Sequence, residues 1–202
     1  MNIDTTETTQ TTETAIGYIP YYASFIIFLD IDGVFNCQLW YNEHFKEAKR
    51  RLKKAVKSKE IERLEYYKSQ ICPERISWFN ELCKETNSKV VISSTWRMGK
   101  TVQELQEILN HCGATFEIIG KTGHTGYERG TEIAKWLRDN IKPEIYGKHY
   151  YDFYNYAIID DDSDMLLNQK EHFFQTDNYS GLTPTTCYKI KRFITGRTFN
   201  EA

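Results

Sequence analysis

Apolar residues gather in short runs of four or five that each stop at a polar cluster, while between the runs they recur every three or four positions. Phe25-Ile26-Ile27-Phe28-Leu29 is the first run. A run this short, closed by a turn, fits a strand buried on both faces. Lys89 to Ile92, Thr115 to Ile119, Tyr156 to Ile159 and His172 to Gln175 read the same way. Helical spacing fills the gaps. Pro73 opens a helix with Ile76, Phe79, Leu82 and Cys83 on its inner face, since proline costs nothing at a first helical position. Val102, Leu105, Ile108 and Leu109 mark the next, which stops at Gly113. Ile133, Trp136 and Leu137 follow Arg129-Gly130-Thr131-Glu132, and Thr183 before Pro184 caps a last helix holding Cys187, Ile190 and Phe193. Strands alternating with helices predict an α/β fold, a parallel sheet of about five strands flanked by helices.

Residues 36–72 interrupt this rhythm after the first strand. Long polar side chains dominate there, with Phe45, Ala48, Leu52, Ala55, Ile61 and Leu64 at near-helical spacing. A helical, cap-like insertion is expected. With 202 residues and 40% hydrophobic content the chain can bury one substantial core. The expected plan is a tail over 1–17, disordered because it is acidic and threonine-rich, and one domain over 18–200 that carries the insertion.

Charge and cysteine usage narrow the partners. A formal net charge of -2 gives no global attraction to polyanions, so any must come from a local patch. Between Lys46 and Lys59 lie eight Lys or Arg residues against the single acid Glu47. That basic face, with Arg50 and Arg51 at its centre, is either solvated helix surface or a contact for a phosphate backbone. The apolar run Ile19 to Leu29 is far shorter than the roughly 20 residues that span a bilayer, so no membrane partner is expected. Cys37, Cys72, Cys83, Cys112 and Cys187 are odd in number and form no Cys-x-x-Cys pair. Buried thiols in a reducing cytoplasm are expected, and no obligate protein partner is evident.

The first strand ends in Asp30-Ile31-Asp32-Gly33. A chain bending at Gly33 can turn both carboxylates into one pocket, where they repel unless a cation lies between them. Magnesium, which takes hard oxygen ligands, is the expected cofactor. The motif alone fits two aspartates capping a turn better than a metal site. Two more strands end in polar clusters, however: Ser93 to Arg97 and Asp160 to Asp164. In a parallel sheet all three lie on one edge, where the ligands of such sheets gather.

These stretches resemble the motifs of the haloacid dehalogenase (HAD) superfamily: Phe28-Leu29-Asp30-Ile31-Asp32-Gly33-Val34, Val91-Ile92-Ser93-Ser94-Thr95-Trp96-Arg97, Arg129, and Ile158-Ile159-Asp160-Asp161-Asp162. Within it they are similar to the phosphatase-like domain of Swiss Army Knife RNA repair proteins, through Ser94 to Arg97, Arg129 to Ile133 with Trp136-Leu137, and Gln175-Thr176-Asp177 with Gly181-Leu182-Thr183. The resemblance covers about residues 25 to 195, and the insertion is longer than that family leads one to expect. It implies a Rossmann-like sheet of the HAD type and a magnesium-dependent phosphomonoesterase acting on a nucleotide or nucleic-acid end.

In that scheme Asp30 is the nucleophile, forming an aspartyl phosphate, and Asp32 protonates the leaving oxygen and later activates water. Related pumps tend to carry threonine at the second position, so an aspartate favours a phosphatase. Ser94 would donate to a phosphate oxygen, and Arg129 would offset the charge on Asp30 and the phosphoryl group. Lys121 is the rival for this last role. Magnesium would lie between Asp30, the backbone carbonyl of Asp32, and Asp160 with Asp161, the latter the preferred direct ligand and Asp164 lying behind them. Thr95 and Arg97 are candidates for substrate contact, together with Arg50 and Arg51 of the basic stretch. Trp96 reads as core and His124 as surface. The competing readings are a catalytically idle domain that binds phosphate ligands or proteins through the same pocket, and a phosphatase for small molecules.

Overall fold

The computed structural model describes residues 25–45, 59–141 and 155–198. Five strands form one parallel sheet: β1 (Ile26–Leu29), β2 (Lys89–Ile92), β3 (Ile118–Lys121), β4 (Tyr156–Asp160) and β5 (Phe173–Gln175), in the order β3-β2-β1-β4-β5. β1 sits at the centre. It pairs in register with β2 on one side, Leu29 opposite Ile92, and with β4 on the other, Leu29 opposite Ile159. The order reverses at β1, so the crevice beyond its carboxyl end lies at the switch point of the sheet.

Alternation along the strands builds two cores. Ile27 and Leu29, Val90 and Ile92, and Ala157 and Ile159 face one side. There they meet α2 (Pro73–Thr86), α3 (Val102–His111) and α5 (Pro184–Thr198) through residues such as Ile76, Phe79, Leu105, Ile108 and Ile190. Ile26, Phe28, Val91, Tyr156 and Ile158 face the other side, against Ile133 and Trp136 of α4 (Arg129–Asn140). The helices start and stop where their chemistry says they should. Pro73 occupies the first turn of α2, and Asn87 ends that helix in the left-handed conformation, φ 49°. Thr101 and Glu104 close a reciprocal capping box on α3. Thr183 Oγ1 accepts from Thr186 N at 3.1 Å at the head of α5.

The third strand lies further along than its apolar run suggests. Thr115 to Ile119 was the expected span, and the strand is Ile118–Lys121. Gly120 explains the shift: in sequence it reads as the start of a loop, whereas here it pairs with Val91. A Cβ on Gly120 would come within 3.1 Å of the Trp136 indole, so the bare backbone is what lets α4 pack closely on the sheet.

The insertion begins as Gln38–Trp40, runs on as a π-helical turn Tyr41–Phe45, and ends as α1 (Lys59–Gln70). Leu64 and Tyr67 of α1 pack against the larger core. The expected helix therefore exists at both ends of the insertion. Its basic centre, Arg50 and Arg51 included, falls outside the described residues, as do the tail over 1–17 and residues 18–24. No helix among the described residues is long and apolar enough to cross a membrane. Cys37, Cys72, Cys83 and Cys112 are buried thiols and Cys187 is half-buried.

Phe79 is fully buried and meets Phe35 and Phe116 with ring centroids 5.3 and 4.9 Å away. Phe79→Ala should cost about 3–5 kcal/mol, read as a lowered midpoint in urea with unchanged slope. A loss under about 1 kcal/mol would mean that this aromatic cluster does not hold α2 on the sheet.

Candidate active site

Parallel register delivers the polar strand ends to one place. Asp30 extends the ladder of β1 by donating its N–H to Ile159 O at 2.9 Å, and Ser93 N donates to Leu29 O at 3.0 Å. Asp160 closes β4. The chain then turns sharply after β1: Ile31 O accepts from the N–H groups of Val34, Phe35 and Asn36, with Gly33 at φ 69°. That glycine is obligatory for two reasons. Its backbone angle disfavours a side chain, and a Cβ would lie 2.1 Å from the carboxylate carbon of Asp161. Thr176 fastens the turn from the far side, its hydroxyl donating to Gly33 O at 2.9 Å.

Three carboxylates meet in this crevice. One oxygen from each of Asp30, Asp160 and Asp161 lies within 4.8 Å of the others. Burial pushes Asp30 up from 3.8 to about 8, and the charge of Asp160 adds to the effect while Arg129 opposes it. Burial also raises Asp160, to about 7, against the pull of Arg129 and of the Asp162 N–H. Asp161 is raised by burial as well. Among the described residues, Arg129 is the cation paired with this group. Arg129 reaches Asp30 Oδ1 through Nη2 and Asp160 Oδ2 through Nε, each at 3.5 Å.

Asp160 Oδ2 and Arg129 Nη1 are buried without a hydrogen-bond partner among the described residues. An acceptor and a donor left unsatisfied in one pocket, with hard oxygens in surplus, fit a divalent cation beside an anionic group. Asp32 stands apart from the cluster. Its carboxylate accepts from Asn36 Nδ2 at 2.7 Å, Trp96 Nε1 at 3.1 Å and Thr95 Oγ1 at 3.3 Å.

The other expected residues sort themselves by what they touch. Lys121 turns its ammonium to the carbonyls of Lys100 and Arg97, so Arg129 is the cation that faces the aspartates. Asp164 accepts from Arg129 N at 2.8 Å, and its carbonyl accepts from Gly130 N at 3.2 Å, fixing the first turn of α4. Ser94 is fully buried, its Oγ accepting from Trp96 N at 3.3 Å. Of the two adjacent serines it is Ser93 whose hydroxyl has no partner among the described residues, a distinction the sequence could not make. His124 is exposed, with Nδ1 3.3 Å from Glu132 Oε1.

Arg97 requires a correction. Expected at the substrate, it is 3% exposed and spends its guanidinium inside the protein. Its nitrogens donate to the carbonyls of Ser93, Ser94, Thr122 and Gly123 and pair with Glu132 of α4. Every donor is used, so none remains for a phosphate. Arg97 instead ties the loop after β2 to the helix that carries Arg129.

The site thus sits on a parallel α/β sheet, with Asp30 at the end of the central strand and Asp160 and Asp161 at the end of its neighbour. The family model for the HAD domain in Swiss Army Knife RNA repair proteins matches residues 26–187, and the chain belongs to that family. No curated protein and no solved structure matches it.

The raised carboxyls make metal-free stability depend on pH. A group whose pKa is higher folded than unfolded keeps its proton in the native state after the unfolded chain has released it, so stability falls as pH rises from 3.8 towards about 8. In chelator, the melting temperature should fall over this range, and Asp160→Asn should flatten the slope by removing one of the repelling charges. Magnesium should raise it far more at pH 8 than at pH 5. A melting temperature that is flat or rising in chelator, with no such difference for magnesium, would contradict the crowding of charge.

Proposed function

We propose that the protein is a magnesium-dependent phosphomonoesterase that removes a phosphate from a nucleotide or nucleic-acid end. The observation that carries this reading is Asp30 at the tip of the central strand, beside Arg129 and the Asp160-Asp161 pair, with Asp32 held separately across the turn. Asp30 attacks phosphorus in line; its oxygen forms the new bond as the bond to the leaving oxygen breaks. Asp32 gives a proton to that oxygen, then takes one from the water that cleaves the aspartyl phosphate and restores Asp30. Arg129 faces the oxygens where negative charge builds up. Magnesium held by Asp30, Asp160 and Asp161, with the backbone carbonyl of Asp32, would offset the charge of carboxylates and phosphoryl group. Ser93 or Ser94 supplies a hydroxyl to a phosphate oxygen, and Thr95 stands exposed at the mouth.

Asp30→Asn should abolish hydrolysis of a chromogenic phosphate ester while leaving the melting curve cooperative, because an amide of the same shape neither attacks phosphorus nor holds a cation well. Substantial turnover by a folded Asp30→Asn protein would remove Asp30 as nucleophile. An unmodified protein inactive on every ester, with magnesium present, would favour an idle binding domain.

The choice of a nucleic-acid end rests on the family and on the basic stretch from Lys46 to Lys59. If that stretch holds a strand, affinity for an end-phosphorylated oligonucleotide should fall with salt by about 0.7 in log-log slope per phosphate contacted. Replacing Arg50, Arg51, Lys53 and Lys54 by Glu should raise KM for the oligonucleotide and leave a small ester nearly untouched. Equal response of both substrates, or of neither, would favour a small-molecule phosphatase.

A further inference from the structure

The three donors to Asp32 are shared unevenly between its two oxygens. Oδ1 accepts from Asn36 Nδ2 at 2.7 Å and from Trp96 Nε1 at 3.1 Å. Oδ2 meets Thr95 Oγ1, at 3.3 Å. An indole N–H can only donate, so the Trp96 contact has one sense. The Asn36 contact does too, because the amide oxygen of Asn36 accepts from Gly33 N at 3.0 Å and the NH2 group must then face Asp32. Two N–H groups directed at Oδ1 leave no room for a proton on that oxygen. Thr95 is a weaker claim on Oδ2: it is exposed, and its hydroxyl can rotate away when another group approaches.

We propose that Trp96 and Asn36 are positioning residues that pin Oδ1 of Asp32, so that Oδ2 alone passes the proton to the leaving oxygen and recovers one from water. The inference rests on the acid-base reading of Asp32 and deepens it. A carboxyl free to turn about its last bond would offer either oxygen in many orientations, and general acid catalysis depends on the proton lying along the line to its acceptor. Both pins are themselves braced. Asn36 is tied to the turn by the Gly33 N–H. Trp96 is 9% exposed and its ring lies against Tyr67 of α1, centroids 4.9 Å apart. Lys100 donates to Trp96 O at 2.9 Å and lies 5.4 Å from the Tyr67 ring. The brace on Asp32 thus reaches the end of the insertion.

The test compares kcat/KM, which ends at expulsion of the leaving group and so omits the later attack of water, for two esters in magnesium: p-nitrophenyl phosphate, whose leaving group departs without protonation, and an alkyl phosphate, which needs it. Asp32→Asn is the reference and should slow the alkyl ester far more than the activated one. Trp96→Phe keeps a ring and removes the N–H; it should lower kcat/KM for the alkyl ester on the order of tenfold and change that of the activated ester less than about twofold. Asn36→Ala should show the same selectivity, and the double variant should approach Asp32→Asn without exceeding it. If Trp96→Phe does not fold, replacing Trp96 by benzothienylalanine, which keeps the bicyclic shape without the N–H, gives the same comparison. Equal slowing of both esters, or none, in a folded Trp96 variant overturns the positioning role while Asp32→Asn remains selective. Loss of selectivity in Asp32→Asn itself overturns the acid reading and this inference with it.

Discussion

Repulsion among buried carboxylates is the constraint around which this molecule is built. Parallel pairing of β1 with β4 brings Asp30 and Asp160 to the same edge whether or not their charges agree, and Asp161 is folded back over Gly33 to join them. A single guanidinium at 3.5 Å from two of them compensates only in part. Burial first, and the neighbouring charges after it, raise the proton affinities of Asp30 and Asp160 despite that guanidinium. A site that stores repulsion of this kind gains strong affinity for cations and for groups that bring their own, because their binding relieves a cost already incurred in folding.

Holding such a site needs loops that cannot relax apart, and the chain fastens each of them. α4 brings Arg129 to the crevice only because its first turn is clamped: Asp164 takes two N–H groups there, and Gln169 donates to Gly130 O at 2.9 Å. A Cβ at Gly130 would stand 2.5 Å from Leu166 N, so no other residue allows that approach. The Arg97–Glu132 pair adds a second clamp one turn along. A buried ion pair gains little net stability unless its remaining donors and acceptors are satisfied. Here the carbonyls of Ser93, Ser94, Thr122 and Gly123 surround the guanidinium, and Thr125 N donates to the other oxygen of Glu132 at 3.0 Å. The pair fixes geometry, at the mutual distance of two motifs, more than it stabilises the fold.

Strands and acids were legible in the sequence because both depend on local pattern. An apolar run ending in Asp30, or in Asp160, announces a buried strand and its polar tip without reference to the rest of the chain. Gly120 misled because its freedom from a side chain serves Trp136, sixteen places on, and not a turn. Arg97 misled for the same reason: next to Ser94 and Thr95 it reads as a phosphate contact, and only the fold reveals that Glu132 is its partner. Trp96 was correctly read as buried, yet its burial says nothing of its N–H, which reaches Asp32. Asn36 carried no signal at all. Its role needs both the turn at Gly33 and the position of Asp32, and neither is a property of an isolated asparagine.

The site divides into two halves that hang on different parts of the fold. Charge is handled by Asp30, Asp160, Asp161 and Arg129, on β1, β4 and α4, the last secured through Asp164 and Gln169. Asp32, to which the proposed reaction gives the handling of the proton, is held by Asn36 from the turn and by Trp96 from the loop after β2, with Tyr67 of the insertion behind it. β1 itself, the Gly33 turn and the Arg97 clamp join the two halves.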